Sequence, residues 1–175
     1  MAAAKPVVQA HGYSGLSFRE IAKAVGVKSA SIHYHFPTKG DLGAALARRY
    51  TDEAAAAFEA ISARTADPGK RLRAYADGFR LALENDNRMC LCGIMAAEYD
   101  DLPDGVKAEV VRFGDVNVAW LSKVLSEAGV KDAKARALAI FAAIGGAQLA
   151  ARSRGDIRLY DAIVESYRAA GLIPT

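Results

Sequence analysis

The stretch Ser17-Phe-Arg-Glu-Ile-Ala-Lys-Ala-Val-Gly-Val-Lys-Ser-Ala-Ser-Ile-His-Tyr-His-Phe36 reads as two short helices joined by a tight turn at Gly26. Ser17 and Glu20 have the three-residue spacing of a capping box, in which the hydroxyl accepts from the backbone and the carboxylate reaches back. Ile21, Ala22 and Val25 form the expected inner face of the first helix. Gly26 lets the chain reverse, and Val27 is expected to plug the turn. Ser29 is the expected N-cap of the second helix, which runs to about Phe36 with Ile32 and Phe36, four apart, facing inward. A polar edge remains on that second helix. This is the layout of a helix-turn-helix that enters the DNA major groove.

On the N-terminal side, Ala2–Ala10 makes a short first helix with Pro6 awkward inside it, and 11–15 is a turn. On the C-terminal side, Thr38 caps a long helix from Lys39 to about Arg64, with Asp41 in its first turn. Asp67-Pro68 is an N-cap followed by proline at the first helical position and starts a helix to about Glu84. Asn85-Asp86-Asn87 interrupts. Met89–Tyr99 is a short apolar helix. Val106–Ala128, Asp132–Arg154 and Asp156–Ala170 follow, each ending at a glycine. The pattern gives about nine helices, no strand, no repeat and no low-complexity linker, an all-α chain.

Composition agrees. More than half of the 175 residues are apolar, and only 5 are proline; abundant alanine favours helix. No apolar run nears the roughly 18 residues that span a bilayer, and Met1–Pro6 lacks the apolar core of a secretion signal, so a cytoplasmic protein without a membrane partner is expected. The net charge of +3 is unevenly spread. Residues 1–50 hold seven Lys/Arg against Glu20 and Asp41, which is +5 and leaves −2 for the rest. All three histidines also lie there. A basic front and a mildly acidic back fit a chain whose front alone meets a polyanion. No nucleophile–base set, glycine-rich phosphate loop or paired metal motif is present, so neither catalysis nor a cofactor is expected.

Gly12-Tyr13, then Ser17, Ile21-Ala22 and Gly26-Val27, then Ser31-Ile32-His33-Tyr34-His35-Phe36-Pro37-Thr38-Lys39 and Leu42, resemble the TetR/AcrR family of transcriptional regulators. The likeness covers about residues 11–45. It implies a three-helix DNA-binding domain over 1–45 and a helical effector-binding and dimerisation domain over 46–175. Only about ten residues precede His11-Gly12, so either the first helix is short or the natural start lies further upstream. Lys28, Ser29, Ala30, Ser31 and His33 lie at the start or outer face of the second helix of the motif and are groove candidates. Lysine can donate to guanine, serine can bond a base or phosphate, and alanine can touch a thymine methyl. Tyr34 and His35 fall at the family's phosphate-anchoring positions. Lys39, at a helix start, favours a phosphate, and Thr38 and Ser17 can add hydroxyl donors. The bland alternative is that His33, Tyr34 and His35 are packing residues. A metal between His33 and His35 is disfavoured because i, i+2 side chains diverge on a helix.

In this family the helices behind the reading head enclose a ligand pocket, and the last two form a dimer interface. Apolar candidates for such a pocket are Phe79, Leu83, Met89, Ile94, Met95, Phe113, Trp120 and Phe141, with Glu98, Tyr99 and Asn117 as polar anchors. Plain core is the competing reading for each. Cys90 and Cys92, the only cysteines, can sense oxidants or electrophiles if one is exposed with a lowered pKa, Arg88 helping; buried thiols acting as small hydrophobes are the default. Zinc would need two further ligands. Ala142, Ala143, Gly145, Gly146 and Ala147 would let a second helix approach, with bulk from Leu149, Leu159, Ile163, Val164 and Tyr167. A kink explains the glycine pair equally well. The expected function is a dimeric repressor released from operator DNA by a small-molecule effector. The competing reading is a dimeric small-molecule-binding protein with weak or lost DNA binding.

Overall fold

The structure is a computed structural model describing residues 1–174, and every described element is helical. In order they are α1 (Ala4–His11), α2 (Phe18–Val25), α3 (Ser29–His35), α4 (Lys39–Arg64), α5 (Pro68–Glu84), α6 (Leu91–Ala96), a 3-10 turn (Tyr99–Asp101), α7 (Asp104–Glu127), α8 (Ala133–Arg154) and α9 (Ile157–Ala169). No described helix is long and apolar enough to cross a membrane.

The helix boundaries follow from local chemistry. Pro6 falls in the first turn of the eight-residue α1, where backbone N–H groups lack intrahelical acceptors, so its missing donor costs little. The Ser17 hydroxyl accepts from the Glu20 N–H at 3.5 Å and starts α2. Gly26 ends α2 in the left-handed region, φ 76°, returning its N–H to the Ala22 and Lys23 carbonyls. Thr38 and Asp41 close a reciprocal cap on α4: the Asp41 carboxylate accepts the Thr38 N–H at 2.9 Å and hydroxyl at 2.7 Å, and the Thr38 hydroxyl accepts the Asp41 N–H at 3.1 Å. Asp67 accepts from the Lys70 N–H at 3.1 Å, with Pro68 at the first position of α5.

Three local expectations are corrected. Ser29 is the first residue inside α3, and Lys28 occupies the cap with no side-chain bond. Val25 and Val27 do not close the head from inside: they are 55% and 44% exposed. The apolar stretch 89–99 forms a helix only over Leu91–Ala96, because Cys90 caps it outside helical geometry, Ala97 and Glu98 form a turn, and Tyr99 begins the 3-10 turn.

The chain forms two compact units: Met1–Asp52 with Cys90–Phe113, and Glu53–Met89 with Gly114–Thr175. The first has its own core in Val8, Tyr13, Leu16, Ile21, Leu42, Leu46, Leu91, Met95, Leu102 and Val106. The second is built on Leu72, Tyr75, Trp120, Leu121, Leu125, Ile140, Ile144, Tyr160 and Val164. Within it the aromatics stack: Phe58 on Trp120 at 4.9 Å between ring centroids, and Tyr75 on Trp120 at 5.8 Å.

Candidate nucleic-acid interface

The first unit carries the helix-turn-helix. Ile21 and Ala22 alone are buried on α2, and α3 buries no residue at all. Ile32 and Phe36 are half-buried, enough to seat α3 on α2 while leaving the rest of α3 in solvent. Lys28, Ala30, Ser31, His33, Tyr34 and His35 are exposed and Ser29 is half-buried. Tyr34 stands 84% exposed. The packing alternative for the three aromatic residues therefore does not describe them. Ring contacts involve all three: the His33 ring meets Phe18 edge-on at 4.3 Å, and Tyr34 meets His35 edge-on at 5.2 Å.

The other three candidates are already engaged. The hydroxyls of Ser17 and Thr38 cap their helices. The Lys39 ammonium donates to the Ser14 carbonyl at 3.1 Å and lies 4.6 Å from the centre of the Tyr13 ring. Arg19 and Lys23, exposed on α2, add positive charge that the reading of α3 passed over. Their signal was two basic residues on the outer side of the first motif helix.

The turn before α2 is the feature least visible in the sequence. Gly12 has φ 74°, and a Cβ there would lie 2.3 Å from a Glu98 carboxylate oxygen. That carboxylate accepts the N–H of Tyr13 and, at 3.2 Å, that of Ser14. Glu98, expected as a ligand anchor, thus has its oxygens on the backbone of the head. Tyr99 is exposed under Lys107, whose ammonium lies 4.9 Å from its ring.

The remaining effector candidates divide between the units. Cys90, Cys92, Met95 and Phe113 are buried in the first and Ile94 is half-buried there. Leu83, Met89, Asn117 and Trp120 are buried in the second, with Phe79 and Phe141 half-buried. In the second unit the Asn117 oxygen accepts from the Tyr75 hydroxyl at 3.0 Å, the Trp120 indole donates to Ser62 at 3.0 Å, and Gln148 donates to the Phe79 carbonyl at 2.7 Å. The Tyr75 hydroxyl and Gln148, polar groups beside the aromatic cluster, escaped the sequence reading because each sits in an otherwise ordinary helical pattern.

Both thiols are buried, and burial raises the pKa of each. The Tyr50 hydroxyl donates to Cys90 and accepts from the Leu91 N–H, and Cys92 shares a hydrogen bond with Thr51. Arg88 pairs with Asp86 at 3.2 Å. These thiols are neutral and shielded, the reverse of the exposed thiolate that oxidant sensing requires. Among the described residues no group of His, Cys, Asp or Glu is placed to hold a metal ion.

On α8, Leu138 and Leu149 are 51% and 59% exposed, with Ala142 and Gly146 exposed between them. A Cβ on Gly145 or Gly146 would meet nothing within 4 Å, and α8 runs unbroken through both. Ala147 and Val164, expected at a dimer interface, are buried in the chain's own core instead.

A family model described as "Bacterial regulatory proteins, tetR family" matches residues 1–46. A TetR transcriptional regulator from Legionella pneumophila is 31% identical, with 97% of this chain and 93% of that one covered and a TM-score of 0.91. A TetR-family regulator from Agrobacterium tumefaciens is 32% identical, with 93% and 90% covered and a TM-score of 0.87. The reduced form of NemR from E. coli shares the fold at 19% identity and a TM-score of 0.85, with 99% and 95% covered. A comparison with curated proteins finds no match.

Proposed function

The chain belongs to the TetR family of transcriptional regulators, and from that premise we propose that it is a homodimeric repressor released from double-stranded operator DNA by a small-molecule effector. Membership makes it a DNA-binding regulator rather than an enzyme. The observation that carries the DNA reading is α3, a helix with no buried residue whose Lys28, Ser31, His33, Tyr34 and His35 are all exposed. Residues 1–45 read DNA in this proposal, and 46–175 bind effector and partner. Lys28 and Ser31 face base edges, while Tyr34, His35 and Lys39 take phosphates, which supply most of the affinity. For Lys39 this means leaving the Ser14 carbonyl.

A dimer is needed because two heads must reach successive major grooves roughly 34–36 Å apart. The exposed Leu138, Ala142, Gly146 and Leu149 lie on one side of α8 and support a helix of a second copy packing there. An effector that favours a different head separation lowers operator affinity by shifting populations. The proposed effector is an aromatic or apolar molecule that binds without covalent chemistry near Phe79, Asn117, Trp120 and Phe141; Tyr75, which lies against the Phe79 and Trp120 rings and donates to Asn117, supports that choice. Trp120, the single tryptophan, gives a fluorescence signal for finding it.

The test is an electrophoretic shift with the DNA upstream of the chain's own gene across a salt series. Retention that weakens steeply as salt rises is the expected result. Failure to retain that DNA or any other promoter fragment at low salt would overturn the reading.

A further inference from the structure

We infer that Glu98 is a positioning residue for operator recognition, acting through the Tyr13–Ser14 backbone; the inference rests on the DNA-binding function proposed above. Both N–H groups of this dipeptide point at the Glu98 carboxylate. From the other side, Lys39 holds the Ser14 carbonyl and covers the Tyr13 ring. Without DNA the dipeptide is therefore gripped by an anion on its donors and a cation on its acceptor, and once Lys39 turns to a phosphate, as proposed above, the Glu98 bonds alone hold it. Each is a charge-assisted bond, about twice the strength of a neutral one. Gly12 makes the approach possible: its φ of 74° suits glycine, and any side chain there would occupy the carboxylate's place.

The dipeptide lies between α1 and α2, and the Tyr13 ring also closes against Gly43 of α4, where a Cβ would lie 2.7 Å from a ring carbon. The angle at which α2 and α3 leave the rest of the first unit is thus set at this turn. Glu98 follows α6, whose other end is tied to α4 by the Tyr50 hydroxyl on Cys90 and Leu91. One short helix therefore holds the head's entrance at one end and the long helix α4 at the other. Base readout needs the reading helix in register, whereas non-specific binding is electrostatic and tolerates a loose head. The Glu98 hydrogen bonds go to the Tyr13 and Ser14 backbone and not to the proposed DNA contacts, so its effect falls on selectivity.

The experiment uses the full chain and a duplex that the wild-type protein selects from a random-sequence pool. Affinity for that duplex and for a mixed-sequence duplex of equal length is measured for wild type, Glu98→Ala and Glu98→Gln. Amide exchange is followed at Tyr13 and Ser14. Glu98→Ala is expected to lose about tenfold in affinity for the selected duplex, with binding to the mixed duplex and its salt slope unchanged and both amides exchanging faster. Glu98→Gln, which keeps one acceptor oxygen and the same shape, is expected to recover part of the loss. A purely structural role would lower both affinities together, and that result overturns the inference, as does unchanged selectivity in both variants. If the wild type selects no duplex, the DNA-binding reading falls and the positioning role falls with it.

Discussion

Tyr34 places an aromatic ring and a hydroxyl in open solvent beside His35, on a helix that gains nothing from burying either. A side chain held there is free to meet a phosphate, so its removal separates binding from stability. Tyr34→Ala is expected to leave the unfolding free energy, measured in urea, within about 0.5 kcal/mol of wild type while weakening DNA retention several-fold; both are read from one protein preparation. The cysteines make the opposite case. Cys90 and Cys92 are enclosed and protonated, so a thiol reagent such as dithiobis-nitrobenzoate is expected to label neither in the native state at neutral pH and both in urea. Native labelling at the rate of a free thiol would show that the packing around α6 opens readily. The sequence displayed these residues as candidates but could not tell solvent from core, because exposure depends on what the rest of the chain brings near.

At the scale of the helix, what could be read in advance was what is encoded locally. The α4 start at Thr38-Lys39, the α5 start at Asp67-Pro68 and the reversal at Gly26 each rest on a few adjacent residues, and each stands where the spacing predicts. Thr38→Ala removes both the hydroxyl that Asp41 accepts and the acceptor for the Asp41 N–H. It is expected to cost about 1 kcal/mol of stability, measured by chemical denaturation. Val25 and Val27 went the other way because the inward side of a two-turn helix depends on the angle of its neighbour, which no local rule supplies. The Glu98 grip on Tyr13 and Ser14 joins residues 85 and 84 positions apart. Nothing in either segment announces the other, apart from a glycine whose need for positive φ shows only in the folded chain.

For the whole molecule, burial of weak acids sets the response to alkali. Tyr50, Tyr160, Cys90 and Cys92 all have folded pKa values raised first of all by burial. Each keeps its proton more tightly folded than unfolded. Their contribution is complete below the ordinary values, 9.0 for thiols and 10.0 for phenols, and is lost as pH rises above them. The melting temperature is expected to be level near neutrality and to fall progressively beyond about pH 9, with a shallower fall in Cys92→Ala. The proposed self-association is also tested at this scale. Leu149→Lys places a charge on the exposed side of α8 without touching the core, and is expected to shift the sedimenting species from dimer to monomer with helix content retained. A dimer that persists unchanged would move the interface elsewhere.

A reading helix with no buried side chain has a consequence for how such a protein can diverge. Selection for folding acts on Ile21, Ala22, Leu42 and their neighbours, and scarcely on Lys28, Ala30, Ser31 or His33. Surface changes away from special contacts cost within about 0.5 kcal/mol, so those four positions are open to mutation while the fold persists. A duplicated copy of this gene could acquire a new address in the genome by a handful of neutral steps, with its helical scaffold carried along intact.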